Sequence, residues 1–181
     1  SDKDGLLDGD EDRNHNGRWD SALGDAYWPD GETNIASSDS DGDGMDDAWE
    51  VAYADPDVGV GAPLNPLDPD DADEDPDLDG LENFEEYSLV SLSLSGTVSA
   101  NPTNPRDPDS DDDGLLDGVE ASSSYAGLGQ GSNPNKEDSD SDGILDGVED
   151  ANGDGKAGPN EMNPMPADTD GDGLGDGVED S

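Results

Sequence analysis

The spacing D-x-D-x-D-G-x-x-D-x-x-E recurs along this chain and limits its backbone more than any other feature. It is complete in DSDGDGMDDAWE (Asp39 to Glu50), DSDDDGLLDGVE (Asp109 to Glu120), DSDSDGILDGVE (Asp138 to Glu149) and DTDGDGLGDGVE (Asp168 to Glu179). In a twelve-residue loop of this pattern, side-chain oxygens at positions 1, 3, 5, 9 and 12 and the backbone carbonyl of position 7 surround a calcium ion. Gly at position 6 makes the sharp turn. Random acidic sequence does not hold Gly at position 6, an apolar residue at position 7 and Glu at position 12 together, so the spacing predicts calcium binding.

Composition sharpens the expectation. Asp and Glu number 51 against 6 Lys and Arg, a formal net charge of −45, and 28% of residues are hydrophobic with a single Phe. Such a chain cannot bury enough apolar surface to offset its conformational entropy, and without cations it reads as disordered. Metal affinity can supply folding free energy instead. The charge argues against nucleic acid and anionic membranes as partners, because no basic patch displaces counterions. No apolar run approaches the ~20 residues of a membrane span. Cysteine is absent, so disulfides are not the staples. Loops of weak affinity fill where calcium is millimolar, which predicts an extracellular or cell-surface location.

Eight loops can be placed in order. The first uses Asp2, Asp4, Leu6, Asp8 and Glu11, with position 1 before Ser1. The second uses Asp12, Asn14, Asn16, Arg18 and Asp20, and the insertion SALGDAYWPDG delays its closing acid to Glu32. The third uses Asp39, Asp41, Asp43, Met45, Asp47 and Glu50; the fourth uses Asp75, Asp77, Asp79, Leu81, Asn83 and Glu86. The fifth uses Asp109, Asp111, Asp113, Leu115, Asp117 and Glu120; the sixth uses Asp138, Asp140, Asp142, Ile144, Asp146 and Glu149. The seventh abuts it, with Asp150, Asn152, Asp154, Lys156 and Glu161, and Gly158 at position 9. The eighth uses Asp168, Asp170, Asp172, Leu174, Asp176 and Glu179. The chain opens inside one loop, and Asp180 stands where another would begin, so it reads as a piece of a longer tandem array.

Position 7 lends only its carbonyl, and its mostly apolar side chains are expected to pack on neighbouring loops. Asn34, Asn104, Asn133 and Asn163 each lie five residues before a loop, the last three followed by Pro, and Asp70 holds that place before Asp75. Each such Asn is either a turn former or an additional calcium ligand. Helix is expected over Asp46 to Tyr53 and Glu82 to Val90, and a short strand within Leu89 to Val98. Elsewhere only a turn or two of helix can follow position 9, which Gly118, Gly147 and Gly177 at position 10 weaken further.

An EF-hand needs a helix on both sides of its loop. Here the sixth and seventh loops touch, and Asn-Pro spacers stand where entry helices would be. Dockerin modules lack the entry helix too, but they carry two loops, each followed by a long helix, which this chain does not match. The D-x-D-x-D-G loops, the abutting pair DSDSDGILDGVE and DANGDGKAGPNE, and the Asn-Pro spacers resemble the thrombospondin type 3 repeats, in the cysteine-free form of bacterial surface and secreted proteins. That resemblance covers most of the chain. It implies little regular secondary structure, a single array of EF-hand-like calcium loops over residues 1–181 with short helical turns, elongated and stapled by calcium, and a role as extracellular stalk, linker or adhesion segment. The insertions 21–31, 51–69 and 87–100 depart from the compact repeat.

At about eight ions, one per loop, the net charge of −45 moves to roughly −29. The leading expectation is a calcium-rigidified stalk, linker or fibre subunit that adjoins identical subunits or repeats. Two others compete: an adhesion module that displays Trp28, Tyr53 and Tyr125 to an extracellular glycan or protein, and a flexible acidic calcium reservoir. No enzymatic activity is expected, because His15 has no nucleophile or partner constellation and nearly every carboxylate is claimed by a loop. Trp19 and Trp28 read as a small core at the first insertion.

Overall fold

The structure is a computed structural model that describes residues 3, 5–12, 32–34, 36–54, 64–92, 98–100, 102–122, 131–156, 158, 161–169 and 171–176. Asp2, Asp4, Asn14, Asn16, Arg18, Asp20, Asp170 and Glu179 lie outside the described residues, as do His15, Trp19, Trp28, Tyr125 and the insertion 21–31.

Regular secondary structure is sparse. The elements are α1 (Asp8–Glu11), α2 (Asp47–Tyr53), a 3-10 turn (Asp71–Asp73), α3 (Asn83–Ser88), β1 (Val90–Leu92), β2 (Val98–Ala100), α4 (Asp117–Ser122) and α5 (Asp146–Glu149). Every α-helix begins at position 9 of an acidic loop. The residue before it is extended where its torsions are defined, with ψ of 136° at Leu7, 135° at Asp46 and 145° at Leu145. Acidic side chains then fill the first turn, where the partial positive charge of a helix start favours them. Helix α5 stops after four residues, whereas α4, with Gly118 at the position of Gly147, runs for six, so glycine at position 10 does not by itself set helix length. Helix α2 lacks glycine and runs to Tyr53, and α3 ends at Ser88 where the chain turns into a hairpin. There β1 pairs antiparallel with β2, with Ser91 opposite Ser99, close to the strand expected within Leu89 to Val98.

The sequence reads as one array; the chain divides into two compact units. The first holds Ser1–Pro76 with Glu82–Tyr87, the second Asp77–Leu81 with Ser88–Ser181. In the first, Met45, Leu64 and Ala72 are buried, and Trp49, Tyr53 and Tyr87 pack against them. The Trp49 ring lies 5.1 Å from Tyr53, tilted, and 5.2 Å from Tyr87, edge to face, which is favourable aromatic geometry. In the second, Leu115 is 2% exposed. Position 7 thus buries Met45, Leu81 and Leu115, but it leaves Leu174 about half exposed and Lys156 exposed. These clusters are small, and the larger buried population is acidic. No described helix is long and apolar enough to cross a membrane.

Candidate metal centres

The acidic loops organise their own backbone. The position-1 carboxylate accepts from the N–H groups of positions 4 and 6. Asp39 takes Gly42 at 2.6 Å and Gly44 at 3.2 Å, Asp138 takes Ser141 at 2.6 Å and Gly143 at 3.0 Å, and Asp168 takes Gly171 at 2.7 Å and Gly173 at 2.9 Å. At positions 3 and 5, one oxygen caps the N–H two residues on, as in Asp41 to Asp43 at 3.2 Å and Asp43 to Met45 at 2.8 Å. These are Asx turns. The outer oxygens of Asp41, Asp43, Asp111 and Asp140 are buried and accept no hydrogen bond.

Two φ-positive residues make this curl. Position 6 is glycine throughout, with φ of 103° at Gly44 and 104° at Gly114 and Gly143. Position 4 is also left-handed, and there Leu78 (φ 67°), Asp112 (63°) and Ser141 (70°) adopt it without being glycine. A side chain in that region costs roughly 1–2 kcal/mol, which for Ser141 the bond to the Asp138 carboxylate helps to offset.

Position 12 closes the loop from the helix. Glu50 is 0% exposed and Glu149 1% exposed, and neither oxygen of either accepts a hydrogen bond. Glu11, Glu32, Glu86 and Glu120 are buried too. Carboxyl oxygens converge within 4.8 Å of one another in Asp39–Asp41–Asp43, in Asp43–Glu50–Asp71, in Asp109–Asp111–Asp113 and in Asp113–Glu120–Asp146. These clusters can hold metal ions, and their donors are oxygen only, the set suited to a hard divalent cation.

Position 9 behaves differently. Its carboxylate is turned to the residue at position 2. The Ser40 N–H and hydroxyl donate to Asp47 at 2.7 Å each, those of Ser110 to Asp117 at 2.8 and 2.6 Å, and the Thr169 hydroxyl to Asp176 at 2.6 Å. These three hydroxyls and that of Ser139 accept the N–H of the spacer asparagine: Asn34 at 2.6 Å, Asn104 at 3.0 Å, Asn133 at 2.7 Å and Asn163 at 3.0 Å. The Asn34, Asn133 and Asn163 side chains cap the N–H two residues on, which is the turn-former arrangement. The hydroxyl at position 2 escaped the sequence reading, although Ser or Thr stands there in all four complete copies.

Successive loops meet at position 10. The Gly118 N–H donates to Asp79 at 2.9 Å and the Gly147 N–H to Asp113 at 3.1 Å, position 5 of the loop before in each case. A Cβ at Gly147 would press on the Asp113 carbonyl, with the carbonyl carbon at 3.1 Å. In the first unit Phe84 stands at this place, its ring 2.9 Å from where a Gly44 Cβ would be. Glycine at position 10 is therefore a close-approach residue as well as a weak helix former.

The other loops hold their expected ligands in varied settings. In the seventh, Asn152 donates to Glu161, so two expected ligands bond each other, while Asp150 is buried and takes Gly153 at 3.1 Å and Gly155 at 2.8 Å; Asp154 and Lys156 are exposed. In the eighth, Asp168 is half-buried, Asp172 and Leu174 are exposed and Asp176 is buried. In the first, Leu6 is half-buried and Asp8 exposed, and Asp12 of the second is half-buried. The fourth is divided between the units, with Asp75, Asn83 and Glu86 in the first and Asp77, Asp79 and Leu81 in the second.

Burial, reinforced by neighbouring carboxylates, pushes Glu50 up to about 10 and Glu120 and Glu149 up to about 9. The same causes push Asp71 and Asp146 up to about 7. Without cations the folded chain therefore holds more protons than the unfolded chain between the ordinary glutamate value of 4.5 and these higher values. Its stability falls as pH rises through that window. The expected result is a cation-free chain that melts highest near pH 4.5 and progressively lower as pH rises, with no folded transition left by pH 7.5, followed by circular dichroism; a melting point that climbs with pH in metal-free buffer contradicts it. Bound cations replace those protons and reverse the trend.

No protein-family model, curated protein or solved structure matches this chain.

Proposed function

We propose that the chain is a calcium-binding structural protein of the extracellular space or cell surface, a stalk, linker or fibre segment built of thrombospondin type 3-like repeats and made rigid by its ions. The observation that carries this reading is the buried glutamate at position 12. Glu50 and Glu149 are enclosed with no hydrogen-bond partner, beside other carboxylates. A closed site of that charge is unfavourable until a cation enters it. Calcium fits better than magnesium, because several carboxylates around a closing glutamate give the high coordination number that a small octahedral ion rejects.

Acidic loops that order their own turns and then need a cation to close favour a support over a flexible reservoir. A reservoir requires neither glycine at position 6 nor an enclosed glutamate at position 12. On this reading the protein is not an enzyme. Equilibrium dialysis is expected to find about eight calcium ions per chain at millimolar calcium, one per loop, with magnesium displacing few of them. Uptake of one or two ions, or equal uptake of magnesium, rejects the proposal.

A further inference from the structure

Asp71 lies outside the twelve-residue spacing, in the 3-10 turn between the third and fourth loops, and the sequence reading assigns it no task. It is nonetheless 3% exposed, and its carboxyl group stands within 4.8 Å of those of Asp43 and Glu50, positions 5 and 12 of the third loop. Each of the three side chains carries a buried oxygen that accepts no hydrogen bond: Asp43 Oδ2, both oxygens of Glu50, and Asp71 Oδ1. Three carboxylates in one enclosed space leave those oxygens to a cation or to protons.

A second juxtaposition repeats the first with the parts exchanged. Asp113 and Glu120, again positions 5 and 12, are joined by Asp146, which belongs to the following loop and is 0% exposed. Asp146 sits at position 9, its Oδ1 takes the Ser139 N–H at 2.8 Å, and its Oδ2 accepts no hydrogen bond. The place of Ser139, which takes the N–H of a spacer asparagine, is filled in the earlier pair by Asp71, whose Oδ2 takes the Asn65 N–H at 2.7 Å. Position 9 there is Asn83, an amide, whose Nδ2 donates to the Asp71 carbonyl at 2.7 Å. One pair thus has Ser and Asp, the other Asp and Asn. Each contributes a single carboxylate to the preceding loop, neither none nor two.

We propose that Asp71 and Asp146 are bridging ligands, so that the calcium ion of the third loop and that of the fifth are each held jointly by their own loop and by the repeat that follows. The inference rests on the calcium reading above. It adds that a cation does more than close its loop: it fastens two successive repeats, and each fastened site needs both of them in place.

Asp71→Asn keeps the oxygen that accepts the Asn65 N–H and removes only the charge. Calorimetric titration of the full chain with calcium is expected to show one site weakened at least tenfold, with far-UV circular dichroism at saturating calcium unchanged; Asp146→Asn gives the same at one other site. Asp71→Ser with Asn83→Asp rebuilds the arrangement of Ser139 and Asp146 and recovers most of the loss that Asp71→Ser alone produces. If Asp71→Asn binds like the unaltered chain while Glu50→Gln loses a site, bridging is overturned and loop binding stands. If the double variant binds no better than Asp71→Ser, the exchange is overturned. If the unaltered chain takes up no calcium, both readings fall.

Discussion

Removing divalent cations at pH 7.5 is expected to unfold the chain outright. The described apolar clusters are small: Met45, Leu64 and Ala72 with three aromatic neighbours in one unit, and Leu81 and Leu115 in the other. Against them stands a formal charge of −45. At pH 7.5 Glu50 and Glu149 are enclosed either as charges stripped of counter-charge, at about 3–5 kcal/mol each, or as acids holding protons that the unfolded chain has released; either cost weighs heavily against a whole domain's stability of about 5–15 kcal/mol. Protonation lowers that cost only by making the fold pH-sensitive in the sense derived above. Far-UV circular dichroism and small-angle scattering should both shift to those of an expanded coil on chelation and return when calcium is restored. A chain that keeps its spectrum and dimensions in chelator at pH 7.5 would show that packing and the Asx turns suffice.

Gly147→Ala is expected to destabilise the calcium-loaded protein, although helix propensity says the reverse. Gly147 lies inside α5, where alanine is favoured by about 1 kcal/mol. Its Cβ, however, would meet the backbone of Asp113 and Gly114, the carbon atoms of both at 3.1 Å. Backbone cannot swing aside as a side chain can. The repeats must part, the Gly147 N–H bond to Asp113 is lost, and the net cost is about 1–3 kcal/mol. Gly118→Ala meets Asp79 in the same way. Gly9→Ala is the control, since nothing lies within 4 Å of its Cβ, and it should be neutral or mildly stabilising. A melting temperature that rises in Gly147→Ala as it does in Gly9→Ala would remove position 10 from the joint between repeats.

The parts of this structure legible in the sequence are those set by chemistry within one loop. Gly at position 6 marked the turn, and the segments expected to be helical, Asp46 to Tyr53 and Glu82 to Val90, contain α2 and α3. Enclosure of Glu50 and Glu149 also agrees with the pattern, because position 12 must reach back over the loop. What stayed hidden involves partners far away in the chain. Gly147 looks like a helix weakener until Asp113 is placed against it. Asp71 looks like one more acid in an acidic run until Glu50 faces it. Asn65–Pro66 is a spacer like Asn104–Pro105, yet five extra residues separate it from its loop, so the fixed count of five passed over it. The left-handed turn at Ser141 was hidden for another reason: position 4 varies in residue type, and only the Asp138 carboxylate that takes its N–H reveals what its backbone must do.

The joint between repeats also has an evolutionary consequence. Gly118 reaches back 39 residues to Asp79, whereas Gly147 reaches back 34 to Asp113, and both make the same bond. The chain between such contacts can gain or lose whole segments while the joint is kept, because the entropy of closing a flexible loop rises by only about 0.6 kcal/mol for each doubling of its length. Lineages of this architecture are free to drift in repeat length and to acquire new surface excursions between turns. Their kinship would then be recorded in which atoms meet, with no constant number of residues to betray it.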